Sequence, residues 1–154
     1  MFKILLGLSV IIVIITGCST TKRFKNGMIK QGISGFIYEV KGNQMPMKGE
    51  ELAKPKGIIS EIFVYEATNI SQVERVGTST FYNAITTKLV TSIISDNTGK
   101  FSVALPVGNY SLFIKIGKQF FANRLNEQND INLYSVKEDE ITQATINVNY
   151  AAFY

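Results

Sequence analysis

Histidine and tryptophan are absent from the 154 residues, and the chain contains one cysteine and three prolines. The lack of histidine excludes Ser–His and Cys–His catalytic pairs and His-ligated zinc. The single cysteine, Cys18, excludes an intrachain disulfide. We therefore predict a protein with no enzymatic activity, no cofactor and no metal site.

Acidic residues are missing from one part of the chain, the segment that contains Lys22, Arg23, Lys25 and Lys30. These four residues and Lys3 account for five of the 16 basic residues, so residues 31–154 carry 11 basic against 12 acidic side chains. A nucleic-acid-binding domain usually has a basic face of its own, and none is indicated here. The basic segment is predicted to be a solvated tether, with weak attraction to anionic lipid headgroups as the alternative.

The first 17 residues have the three parts of a secretory signal peptide. Lys3 supplies a positive start, residues 4–15 form the apolar run ILLGLSVIIVII, and the small residues Thr16 and Gly17 follow. The run is too short for a spanning helix, which needs about 20 apolar residues. We predict that residues 1–17 form a helical signal peptide that is cleaved off, with an uncleaved N-terminal anchor as the alternative.

The sequence Ile15-Thr16-Gly17-Cys18 resembles the lipobox of bacterial lipoproteins. The resemblance implies cleavage before Cys18, diacylglycerol on its thiol and acylation of the new amino end by a chain such as palmitate. Two or more acyl chains give stable anchoring, whereas one is marginal. Ser19 follows the cysteine, and the segment STTKRFK at 19–25 contains no acidic residue. Both features favour the periplasmic face of the outer membrane. Residues 18–30 are then a lipidated basic tether to a domain at 31–154.

Alternation of apolar and polar residues with a period of two, which is typical of half-buried strands, recurs through this domain. It is clearest at 100–105, 110–116 and 144–150, and residues 32–40, 58–65 and 85–94 also predict strands. No segment after residue 20 has a helical period. The pattern predicts an all-β fold.

Turn residues separate these strands. In the turn at 95–100, Asp96 can accept hydrogen bonds from the turn's amides and Gly99 can adopt a positive φ. Residues 106–109 form the next turn, and residues 41–56 are predicted to be a long loop. The sequence DNTG in the first turn suggests calcium binding as an alternative, but it lacks the additional carboxylates of an EF-type site.

The segment SDNTGKFSVALPVGNYSLFIK, residues 95–115, resembles the carboxypeptidase regulatory-domain-like family. The matching positions are Asp96, Gly99, Phe101, Pro106, Gly108 and Tyr110, and ISGFI at 33–37 and IFVY at 62–65 resemble the family's first two strands. The resemblance implies a seven-stranded Greek-key β-sandwich of the prealbumin (transthyretin-like) type, in which Phe101 and Tyr110 are core residues. The C-terminal segment is similar to small Bacteroidetes-type lipoproteins that carry this domain alone.

These features together predict a membrane-anchored, non-catalytic binding or scaffold lipoprotein of the bacterial cell envelope. Its expected partners are the membrane, through the lipid on Cys18, and an envelope or transporter protein, with no nucleic acid. The alternative is a glycan- or peptide-binding lipoprotein that uses aromatic residues near strand ends. The candidate ligand contacts are Phe81, Tyr82, Phe120 and Phe121. Enzymes of related fold use histidines, which this chain lacks.

A Lys–Asn crosslink between strands, as occurs in related adhesin sandwiches, is a further possibility. It would join Lys30 or Lys41 to Asn147 or Asn149 and lower the intact mass by one ammonia.

Overall fold

The computed structural model describes residues 29–45, 49 and 54–153. Within these residues the chain forms one 3₁₀ turn, Ile70–Gln72, no α-helix and eleven strands. The strands are β1 (Gly32–Asn43), β2 (Lys56–Gly57), β3 (Glu61–Glu66), β4 (Val73–Arg75), β5 (Phe81–Ile85), β6 (Leu89–Ile94), β7 (Lys100–Ala104), β8 (Gly108–Ile116), β9 (Gln119–Phe121), β10 (Leu133–Val136) and β11 (Ile141–Phe153). The predicted all-β fold is confirmed, and the predicted signal peptide lies outside the described residues.

The strands form two sheets. In the first sheet, β1 is the central strand. On one side it pairs with the parallel strand β11, from Gly32↔Ile141 to Asn43↔Phe153. On its other side it pairs with β7 and β2, which are both antiparallel to it. The second sheet has the order β4-β5-β9-β8-β3-β6, and β10 pairs with the first half of β8. Apart from the β1–β11 pair, all pairings among the described strands are antiparallel.

A hydrophobic core fills the space between the sheets. Its members include Ile33 and Ile37 of β1, Leu112 and Ile114 of β8, and Ile146 of β11, none of them more than 2% exposed. Full burial of such a side chain stabilises the fold by about 1.5–3 kcal/mol. The predicted alternation is confirmed in β7, where Phe101 and Val103 are buried, and in β11, where Ala144, Ile146 and Val148 are buried.

The second sheet is apolar on its outer face as well. A separate cluster there contains Tyr65, Tyr82, Phe113, Ala122 and Ile131, all buried. The alternation at 110–116 predicted that Ser111 and Phe113 would face solvent, and this was wrong, because both are fully buried. Ser111 accepts a hydrogen bond from the Thr68 amide at 2.9 Å, so the segment after β3 covers this face.

The strand predicted at 85–94 is two strands. β5 ends at Ile85 and β6 begins at Leu89, and they lie in different parts of the second sheet. Thr86 turns the chain at the end of β5, since its amide and hydroxyl both donate to the Gln72 carbonyl. The loop predicted at 41–56 is shorter, because β1 continues to Asn43 beside β11.

The turn at 95–100 forms as predicted. Asp96 Oδ1 accepts hydrogen bonds from the amides of Thr98 (2.8 Å) and Lys100 (3.0 Å), and Gly99 has φ of 81°. A Cβ at Gly99 would lie 2.1 Å from the Ile37 carbonyl oxygen, so glycine is required there by space and by conformation. The turn connects β6 of the second sheet to β7 of the first, and Gly99 packs against β1. Phe101 and Tyr110 are buried, as the family resemblance implied.

Candidate binding surfaces

The residue on which the lipoprotein prediction depends, Cys18, lies outside the described residues. Among the residues that are described, no group of three or more His, Cys, Asp or Glu side chains is placed to hold a metal ion. None of the described segments is a helix long and apolar enough to cross a bilayer.

The four aromatic candidates lie on two paired strands. In the β5–β9 ladder, Phe81 is opposite Phe121 and Tyr82 is opposite Phe120. Phe121 is fully buried and Tyr82 is 2% exposed. Burial raises the pKa of Tyr82, and the nearby Arg75 opposes this shift. Tyr82 and Phe121 are therefore core residues, and neither can present its ring to a ligand.

Phe81 and Phe120 are half-buried and face opposite sides of the second sheet. Phe81 packs edge-to-face on Phe121 and Tyr150 at the rim of the inner core. Phe120 belongs to the outer cluster, and the Lys115 ammonium lies 4.0 Å above its ring centre. Because the two rings are on different faces, the four residues do not form one binding surface.

A different aromatic pair lies on the outer face of the first sheet. Phe36 and Tyr38 are two residues apart on β1, and their rings stack with centres 5.9 Å apart and an interplanar angle of 9°. Phe36 is 37% exposed, whereas Ile33 and Ile37 lie on the opposite face of β1 and are fully buried. The period of two along ISGFIY already placed Phe36 and Tyr38 together on the outer face, although they were not among the predicted contacts.

The side chains around this pair are polar. On β11, Thr145 is opposite Phe36 and Asn147 is opposite Tyr38; on β7, Lys100 is opposite Phe36. All three are exposed. Amides and hydroxyls beside aromatic rings can offer hydrogen bonds and apolar contact to the same ligand.

A shallow groove lies between the start of β6 and the turn that joins β7 to β8. It has a volume of about 360 Å³, and Leu89, Val90, Pro106 and Tyr110 provide its apolar lining. Glu66 and Lys88 also line it, and they form an exposed ion pair at 3.8 Å. Burial, and then the charge of Glu66, raise the pKa of Tyr110, whose hydroxyl donates to the Pro106 carbonyl at 3.1 Å.

Two of the side chains considered for a crosslink, those of Lys41 and Asn149, have other hydrogen-bond partners. Lys41 Nζ lies 2.8 Å from Glu39 Oε1, and this hydrogen bond raises the pKa of Lys41. The Asn123 side chain donates to the Asn147 carbonyl (2.9 Å) and to Asn149 Oδ1 (2.8 Å). The crosslink stays a hypothesis, which a measurement of the intact mass would test.

No protein-family model matches the chain, and neither a curated protein nor a solved structure matches it.

Proposed function

We propose that this chain is a lipid-anchored, non-catalytic binding or scaffold protein of the bacterial cell envelope. The observation that carries the proposal is the combination of a lipobox-like ITGC at 15–18 with a β domain that exposes apolar side chains on its strands, among them Phe36, Leu89 and Ile94. Such surfaces suit contact with another protein. The basic segment from Lys22 to Lys30 then connects the anchor to the domain.

The domain is proposed to be a Greek-key sandwich of the prealbumin-like type. Two features support this topology. Strand β1 lies between β7 and the parallel strand β11, and β8 lies between β3 and the later strands β9 and β10. The pairs β1–β7, β1–β11 and β3–β8 bring together strands that are distant in sequence, as Greek-key connections do.

The anchor is tested at Cys18 in growing bacteria. We expect C18A to accumulate as an unprocessed precursor that incorporates no labelled fatty acid, because the acyl chain is attached to the thiol. The matched control S19A keeps the thiol and should be processed and labelled. Normal processing and labelling of C18A would exclude the lipoprotein proposal. The scaffold role is tested by crosslinking in membranes, where a reproducible envelope or transporter partner supports it.

Binding of a glycan or peptide is the second candidate, and the Phe36–Tyr38 pair among exposed polar side chains favours it. In this case we expect F36A to weaken binding to cell-wall glycan or peptide fractions, since sugar faces and apolar side chains pack on aromatic rings. F153A provides the control, because Phe153 is a 71% exposed aromatic residue at the far end of β11. Equal binding by wild type and F36A would exclude this face.

A further inference from the structure

The outer face of the first sheet around Phe36 and Tyr38 is built of three rows of side chains. Each row crosses β1 at its centre, with β11 on one side and β7 or β2 on the other. The rows are Ser102–Ser34–Gln143, Lys100–Phe36–Thr145 and Gly57–Tyr38–Asn147. Residues that are opposite each other in a ladder share a face of the sheet, so the two aromatic rings lie at the centre of a polar surface.

The polar side chains of these rows offer several kinds of hydrogen-bonding group. Lys100, Gln143, Thr145 and Asn147 are exposed. They provide an ammonium, two amides and a hydroxyl, which together can donate to and accept from a ligand. Gly57 adds no side chain beside Tyr38, so the ring of Tyr38 has no neighbouring side chain in its row on the β2 side. The surface therefore combines two aromatic rings with donors and acceptors on both sides of them.

The position of β1 in the sheet favours a glycan over an extended peptide as the ligand. Peptides that bind to sheets usually add a strand to an open edge, where main-chain hydrogen bonds provide the affinity. From Gly32 to Phe36, β1 is already paired with β11 on one side and with β7 on the other. A ligand on this face therefore meets side chains. A sugar chain needs only side chains, because its C–H faces pack on aromatic rings and its hydroxyls bond to amides and hydroxyls.

The charge of the three rows is positive, because they contain Lys100 and no carboxylate. The nearby acidic residues are held elsewhere. Asp96 accepts hydrogen bonds within its own turn from the amides of Thr98 and Lys100. Glu39, the next residue of β1 after Tyr38, forms an ion pair with Lys41 at 2.8 Å. A surface with one cation and neutral polar groups is complementary to a ligand that carries negative charge.

We propose that this face binds a polysaccharide that carries carboxylate groups, such as a polymer of uronic acids. Phe36 and Tyr38 pack against the sugar rings, Thr145 and Asn147 form hydrogen bonds with the sugar hydroxyls, and Lys100 pairs with a carboxylate. The inference rests on glycan binding, the second candidate of the proposed function, and narrows the ligand to acidic glycans.

Binding of two matched polymers to the full chain, purified in detergent and immobilised, tests the proposal. The probes are polygalacturonate and the same polymer fully methyl-esterified, which is neutral. We expect polygalacturonate to bind about two- to fivefold more tightly at low salt, the effect of one exposed ion pair. K100Q should remove this difference and leave binding of the ester unchanged. K115Q is the matched control, because Lys115 also lies over an aromatic ring, that of Phe120, on the other sheet.

A second variant separates the choice of an acidic glycan from glycan binding itself. F36A should weaken binding of both polymers, because it removes a ring that packs on the sugars whatever their charge. Equal binding of the two polymers by wild type, or an unchanged difference in K100Q, overturns the proposal and leaves the glycan candidate standing. No binding of either polymer, or unchanged binding by F36A, overturns both. Circular dichroism of each variant establishes that it is folded.

Discussion

Asp96 shows at the scale of one residue how a short polar side chain determines a turn. Its Oδ1 atom accepts hydrogen bonds from the Thr98 hydroxyl at 2.7 Å and from the amides of Thr98 and Lys100. The hydroxyl bond, followed by the two amide bonds, lowers the pKa of Asp96 from its ordinary value. The ionised carboxylate is therefore favoured in the folded state relative to the unfolded chain.

We predict that this turn makes stability depend on pH in the acid range. A lowered folded-state pKa adds stability that is fully present above the carboxyl pKa of the unfolded chain and is lost as pH falls through the folded pKa. D96N should therefore reduce the free energy of unfolding at neutral pH, and its difference from wild type should shrink as the pH is lowered. Urea unfolding at a series of pH values measures this difference.

Thr98 provides the control, because T98V removes the hydroxyl bond and keeps both amide bonds. An NMR titration should show the carboxyl pKa of Asp96 closer to its usual range in T98V than in wild type. An unchanged pKa would mean that the hydroxyl is not the main cause.

At the scale of the element, the second sheet is unusual because large apolar side chains project from both of its faces. In β3, Ile62 and Val64 face the inner core, while Phe63 and Tyr65 belong to the outer cluster. Phe113 lies at the centre of that cluster and makes edge-to-face contacts with Tyr65 and Tyr82 at 5.7 Å. The outer face is thus a second core that fixes the segments packed on it.

We predict that F113A lowers the free energy of unfolding by about 3–5 kcal/mol, the usual cost of removing a fully buried phenylalanine. F63A removes a half-buried ring from the same cluster and should cost clearly less. Urea unfolding of both variants at pH 7 measures the two values. A loss for F113A well below about 3 kcal/mol, or one smaller than that for F63A, would contradict the central role of Phe113.

At the scale of the whole molecule, the described residues contain the two sheets and the core between them, whereas the proposed anchor lies in the preceding residues. The first described contacts already attach to the domain, since the Gln31 side chain donates to the Leu105 carbonyl and accepts from the Asp139 amide. Gln31 is thus attached to the domain by its side chain, and the domain boundary at residue 31 stays a prediction.

We predict that a fragment starting at Met28 folds without the preceding residues. Its far-ultraviolet circular dichroism should show β structure and a cooperative loss on heating, because all described strands and both hydrophobic clusters are retained. A spectrum with substantial helix, or the absence of a cooperative transition, would contradict the prediction.

Local features were predictable from the sequence for a physical reason. Strand alternation, the Asp96–Gly99 turn and the burial of Phe101 and Tyr110 depend on neighbouring residues and on the period of the pleat. The same period placed Phe36 and Tyr38 on one face. The sequence also determined the absence of histidine chemistry, and it carries the lipobox-like motif.

Tertiary structure alone decided which strand faces are covered and which edges are open. The burial of Phe113 depends on segments that pack over β8, and the burial of Tyr82 and Phe121 depends on pairing between β5 and β9. The end of β5 at Ile85 and the start of β9 at Gln119 are far apart in the sequence, and no local pattern or turn predicts that these strands pair. The exposed edge of β6 has the same origin, because a run such as LVTSII is compatible with a central or an edge strand. Only the order of strands in the sheet distinguishes the two, and that order is set by contacts between residues distant in sequence.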